Sequence, residues 1–144
     1  MRKNRRKARE LAMQGIYEWR VAGNAVEVIE RQLQEDEDYR KCDEEHFAAL
    51  LRGATGEASG LEELLRSCLD RPVAELTPVE YAILLLAAFE MRRFPEIPYR
   101  VVINEAVELA KQYGSAEGYK YVNGVLDKLA AGVRAVEVAA RRAG

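Results

Sequence analysis

The stretch LTPVEYAILLLAAFEMRRF, residues 76–94, limits the fold of this chain more than any other segment. Thr77 stands as an N-cap, Pro78 follows at the first helical position, and Glu80 lies three residues after the cap. In this arrangement a hydroxyl and a carboxylate satisfy the first orphan backbone N–H groups of a helix. From Ile83 to Phe89 the side chains are apolar on nearly every side. A helix of that kind cannot lie on a surface; it must be surrounded by other elements.

Those other elements also read as helices. Ala8, Leu11, Ala12, Ile16 and Trp19 recur at the i, i+3, i+4 spacing of one amphipathic face. Asn24 with Glu27 resembles a capping box opening a second helix that carries Val26, Ile29 and Leu33. The acidic run EDEDYRK reads as a solvated connection. Asp43 starts a third helix with Phe47, Leu50 and Leu51 inward, and Ser59 with Glu62 caps a fourth over SGLEELLRSCL. The segment YRVVINEAVELAKQYG turns Val102, Ile103, Ala106, Leu109 and Ala110 inward and closes at Gly114. Ser115 opens the last helix, whose stripe is Val122, Val125, Leu126, Leu129, Val133 and Val136.

No alternating strand pattern and no repeat occurs. The expectation is an all-α fold of about seven helices in two small packed helical subdomains, about 1–73 and 74–144, hinged near residues 70–76 where Pro72 stops a helix. With 144 residues, 49% of them hydrophobic, the chain can bury a core without disulfides or a structural metal. It has no apolar run long enough to span a bilayer and no secretory signal pattern, so it is expected in the cytoplasm, away from membranes. An Arg-rich mitochondrial presequence is also excluded, because the same helix runs on through Glu10 and Glu18 into a core pattern. Cys42 and Cys68 have no metal or redox spacing and read as reduced, partly buried thiols.

Charge is unevenly spread. The first nine residues carry plus 6, so the other 135 carry minus 8 for a total of minus 2. An acidic body repels a phosphate backbone, so a polyanion would have to be met at Arg2, Lys3, Arg5, Arg6, Lys7 and Arg9. Cations in the first turns of a helix oppose its macrodipole at about 0.3–1 kcal/mol each. Nothing visible in the sequence recovers that cost, which points to an anionic ligand rather than a solvated tail.

Catalytic chemistry is sought without success. His46 is the only histidine, and none of the three serines lies in a nucleophile elbow. Cys42 and His46, four apart, would give at most a two-ligand surface metal site, so no metal or cofactor is expected. GATGEASG, residues 53–60, lacks the GK[ST] that closes a phosphate-binding loop and reads as a helix end or a close helix contact. Asn104, Glu105 and Glu108 read as a solvated helix face. What remains is aromatic and basic: GYKYVNGV places Tyr119 and Tyr121 around Lys120, and Tyr17 lies in the first helix. Aromatic faces beside cations are what single-stranded bases stack on, although any one of these tyrosines could equally be a core residue. Tyr119 and Tyr121 are about 200° apart on a helical wheel, so at most one faces a given ligand.

Taken together, RRKARELAMQGIYEW, ELTPVEYAILLLAAFEM and above all PYRVVINEAVELAKQYGSAEGYKYVNGVLDKLA resemble the NusB family of bacterial transcription antitermination factors. The resemblance covers nearly the whole chain; residues 24–60 and the tail VEVAARRAG are less characteristic. It implies an all-helical fold of two subdomains and a noncatalytic task. Members bind boxA, a short single-stranded RNA element, together with the small-subunit ribosomal protein NusE, and load it into an antitermination complex on RNA polymerase, notably on ribosomal RNA operons. Carried over by position, the resemblance assigns RNA contacts to Arg2, Lys3, Arg5, Arg6, Lys7, Arg9, Tyr17 and Tyr121, next to which Lys120 lies, and contact with the ribosomal partner to Glu80. It leaves room for a homodimer. Gly118 and Tyr119 depart from the family pattern beside the RNA-facing aromatic. A similar architecture fronts RNA cytosine methyltransferases, but this chain carries no Rossmann-type domain. The competing reading is a helical protein-interaction module whose basic end binds no specific RNA.

Overall fold

A computed structural model describes residues 4–143, and eight α-helices account for most of them. They are α1 (Arg5–Ala22), α2 (Val26–Gln34), α3 (Glu44–Gly56), α4 (Ala58–Arg66), α5 (Pro78–Arg93), α6 (Tyr99–Tyr113), α7 (Gly118–Val133) and α8 (Ala135–Ala143). Among the described residues there is no strand, only an isolated bridge between Asn4 and Cys42. None of the described helices is long and apolar enough to cross a membrane.

Helix α5 is the axis. Its capping box is complete: the Thr77 hydroxyl accepts from the Glu80 N–H, and the Glu80 carboxylate accepts from the Thr77 N–H, each at 3.1 Å. Every residue from Tyr81 to Met91 is buried, and α1, α3, α4, α6 and α7 all pack against it. Close approach is paid for in side-chain volume: a Cβ at Gly53 of α3 would fall 2.0 Å from Cζ of Phe89, so within GATGEASG Gly53 marks a close helix contact and Gly56 the end of α3. α1 ends at Gly23, whose φ of 71° is the left-handed conformation that glycine adopts without strain.

Several local expectations fail, each for a traceable reason. Asn24 does not cap α2, because its side-chain amide donates to the Glu18 carboxylate at 3.0 Å, and Ala25 occupies the cap. Ser59 caps nothing: α4 has already begun at Ala58, and Glu62 instead accepts from the Tyr81 hydroxyl at 2.6 Å. α7 starts at Gly118 rather than Ser115, whose carbonyl accepts from the Gly118 N–H in a turn. The final stripe stops at Val133, which makes the helix count eight. The Arg134 guanidinium is drawn to the carbonyls of Met91 and Phe94 at the C-terminal end of α5, acceptors that a helix end leaves open. The chain turns there, leaving Val136 86% exposed and burying Val138 instead. Both cysteines are buried as thiols.

Candidate nucleic-acid interface

Asn4 caps α1 by accepting from the Lys7 N–H at 2.9 Å, so the basic residues from Arg5 onward form its first turns. Arg2 and Lys3 lie outside the described residues. The expectation that nothing structural offsets this cationic turn is corrected by carboxylate contacts at each of its four described basic residues. Arg5 donates to Asp43 at 3.3 Å, and Arg6 grips Glu105 through two hydrogen bonds of 3.1 and 2.7 Å. Lys7 lies between Glu10 and Asp38, at 3.5 and 3.4 Å. Arg9 reaches Glu90 at 2.8 Å and Glu105 at 3.5 Å.

Exposure separates these residues. The Arg9 side chain is only 7% exposed, whereas that of Arg6 is 68% exposed and that of Arg5 half-exposed. Arg9 belongs to a buried knot: the Glu90 carboxylate also lies 2.8 Å from Nε2 of His46. Burial pushes the Glu90 carboxyl up, but the hydrogen bonds from His46 and Arg9 outweigh it and hold the group below the usual carboxylate range. Asp43 is held low in the same way, with the His46 N–H and the Arg5 guanidinium overcoming its partial burial. His46 is thus a core residue tied to Glu90, and among the described residues no cluster of three or more side chains could hold a metal ion.

The aromatic and acidic candidates gather around the start of α5. Tyr17, twelve residues and about 18 Å along α1 from Arg5 at 1.5 Å per residue, is 38% exposed. It lines a mainly apolar cavity of about 230 Å³ with Met13, Gln14, Val79 and Tyr113. Tyr113 donates its hydroxyl to Glu10, joining this cavity to the basic turn. Glu80, next to Val79, has its free carboxylate oxygen 3.8 Å from where a Cβ would stand on Gly118. The start of α7 thus lies beside the start of α5.

Tyr121, one turn into α7, is partly buried and packs against the core. Its ring carries the Arg71 guanidinium at 4.4 Å from the centroid. Tyr119 points elsewhere, with the Lys111 ammonium 5.1 Å from its ring centre. Lys120 is exposed and paired with Glu117 at 3.0 Å. Sequence reasoning missed Glu105, which is not a solvated face residue but the shared acceptor of Arg6 and Arg9, and it missed Arg71. Neither carries a local signal, because the partners of Glu105 lie 99 and 96 residues away.

Comparison with known proteins gives a consistent result. The family model described as the NusB family matches residues 6–131. A transcription antitermination protein NusB of Nitrosospira multiformis is 59% identical over 133 residues, covering 92% of this chain and 84% of that protein. One from Ralstonia nicotianae is 60% identical over 138 residues, covering 96% and 89%. Among solved structures, T. maritima NusB superimposes with a TM-score of 0.83 at 26% identity, covering 96% of this chain and 99% of that one. A chain from a complex of antitermination factors NusB and NusE with double-stranded RNA superimposes with a TM-score of 0.77 at 24% identity, covering 86% and 93%; at that identity the likeness is one of fold.

Proposed function

The chain belongs to the NusB family, and from that membership we propose that it is a noncatalytic, cytoplasmic transcription antitermination factor. It binds boxA-type single-stranded RNA together with the ribosomal protein NusE and delivers both to the transcribing RNA polymerase. The observation that carries this reading is the family match across residues 6–131, which takes in Arg6, Lys7, Arg9, Tyr17, Glu80 and Tyr121. Arg5, Arg6 and Lys7 position the RNA backbone by charge, Tyr17 and Tyr121 offer ring surface to unstacked bases, and Glu80 meets the ribosomal partner. Arg9 acts from inside, holding α1 to α5 so that its neighbours project. The two-subdomain division, about 1–73 and 74–144, is part of the same proposal.

One observation favours the competing reading of a protein-interaction module. Every described basic residue of the block already has a carboxylate partner, so the block could serve as an internal brace. Titration of the chain with a single-stranded boxA-type RNA, its duplex and an unrelated single strand, each with and without NusE, separates the two. Preferential binding of the boxA strand, strengthened by NusE, is the expected result. Equal weak binding of all three RNAs, with NusE still bound, would favour the interaction module.

A further inference from the structure

Arg71 lies in the connection between α4 and α5, with its guanidinium over the ring of Tyr121. It is clasped there by its neighbour Asp70, through Nε to Oδ1 at 2.6 Å and Nη2 to Oδ2 at 3.2 Å. The buried Tyr121 hydroxyl makes no hydrogen bond of good geometry, and the side chain and backbone of Asp70 are the polar groups that lie near enough to act on it. The ring also borders a cavity of about 200 Å³ that Cys68, Asp70, Lys120, Gly124 and Lys128 help to line. A Cβ on Gly124 would meet nothing within 4 Å, so the space is open. Lys120 and Lys128 make its rim cationic.

We propose that Asp70 and Arg71 form a displaceable cover over Tyr121: a nucleotide of single-stranded RNA takes the ring face, and Arg71 passes from the Asp70 carboxylate to that nucleotide's phosphate. The inference rests on the RNA-binding reading above and adds to it a residue pair that sets how readily the aromatic site opens. A guanidinium on a tyrosine face occupies the same surface that a stacked base would use. The Asp70–Arg71 pair is solvent-exposed, and exposed pairs are weak enough to exchange partners. A planar fork that binds a carboxylate bidentately fits phosphate equally well. Once Asp70 and Arg71 move aside, the Tyr121 hydroxyl can donate to a polar group of the nucleotide.

The test is binding of a single-stranded boxA-type RNA oligonucleotide to the full chain with NusE, over a salt series, for wild type, Asp70→Asn, Arg71→Ala and the double variant. Both side chains are exposed, and circular dichroism confirms that the variants remain folded. Asp70→Asn is expected to tighten binding several-fold by releasing Arg71. Arg71→Ala is expected to weaken binding and flatten the slope of log affinity against log salt by about 0.7. Most of the Asp70→Asn gain disappears when residue 71 is alanine, because it acts through the guanidinium. An equal gain in both backgrounds reports only the loss of a negative charge and overturns the cover, as does an unchanged salt slope in Arg71→Ala. If wild type itself binds no RNA, the RNA reading falls and the cover with it; if wild type binds and the coupling is absent, the cover alone is wrong.

Discussion

Arg9 and Glu90, 81 residues apart in the chain, meet in the interior with Nη2 of the arginine 2.8 Å from Oε2 of the glutamate. The contact joins the first turns of α1 to the central helix. It turns one member of a cationic block into a structural fastener, while its neighbours remain at the surface. Removing one partner strands a buried charge, so Arg9→Gln and Glu90→Gln are each expected to cost about 3–5 kcal/mol of folding stability. Urea unfolding measures it, with Arg6→Gln, an exposed pair, as the comparison at about 1 kcal/mol or less.

The same knot predicts acid sensitivity. The folded-state carboxyl of Glu90 is depressed, so its contribution is fully present above the unfolded-state pKa of about 4.3. It is lost as pH falls through the lower folded value, when the unfolded chain binds the proton first. Stability measured downward from pH 7 should therefore fall more steeply for wild type than for Glu90→Gln below about pH 5. Parallel curves for the two proteins would mean that Glu90 titrates alike in the folded and unfolded states, so that the knot does not favour its ionised form.

Gly53 gives a packing prediction. A methyl at this position would fall 2.0 Å from Cζ of Phe89, whereas a methyl at Gly56, at the end of the same helix, would meet nothing within 4 Å. Gly53→Ala is expected to destabilise by about 1–3 kcal/mol through overpacking. Gly56→Ala should be neutral or stabilising by up to about 1 kcal/mol. Thermal melts of the two variants, side by side, decide it.

What the sequence makes legible is what depends on near neighbours. The Thr77–Glu80 cap, the apolar run of α5 and the inward faces of α1, α3, α6 and α7 all follow from spacings of three or four residues. Candidate caps at Asn24 and Ser115 fail because a nearby group takes the side chain or backbone, and the one at Ser59 because α4 has already begun at Ala58. The interface was legible in its residue types but not in its pairings. Asp43, Glu105 and Glu90 neutralise Arg5, Arg6 and Arg9 across 38, 99 and 81 residues, and no local pattern reveals such partners. The surface therefore carries less free positive charge than the opening nine residues suggest.

Glu80 does two things, and charge can be separated from capping. Glu80→Lys is expected to weaken NusE binding by repelling a complementary basic surface, and it also removes half of the capping box, costing about 1 kcal/mol. Glu80→Gln keeps a side chain that can cap and removes only the charge. Calorimetric titration of both variants with NusE should show a loss for each, larger for Lys. Unchanged affinity in both would remove Glu80 from the partner surface.

The salt dependence of RNA binding tests the basic turn in light of its pairings. Among the described residues, Arg5, Arg6 and Lys7 can reach a phosphate, whereas Arg9 is shut inside against Glu90. For a single strand each phosphate contact contributes about 0.7 to the slope of log affinity against log salt, so these three together account for about 2. Replacing Arg5, Arg6 and Lys7 by Gln should remove about that much, and Gln preserves helix propensity, so the fold should persist. Arg9→Gln should leave the slope of its folded fraction unchanged while lowering stability. Glu105→Gln, which frees Arg6 from its two hydrogen bonds, should tighten RNA binding. The measurement is made with boxA RNA and an unrelated strand of equal length: a parallel flattening for both means that the turn positions the backbone without reading sequence. An unchanged slope in the triple variant would show that these cations serve the fold alone.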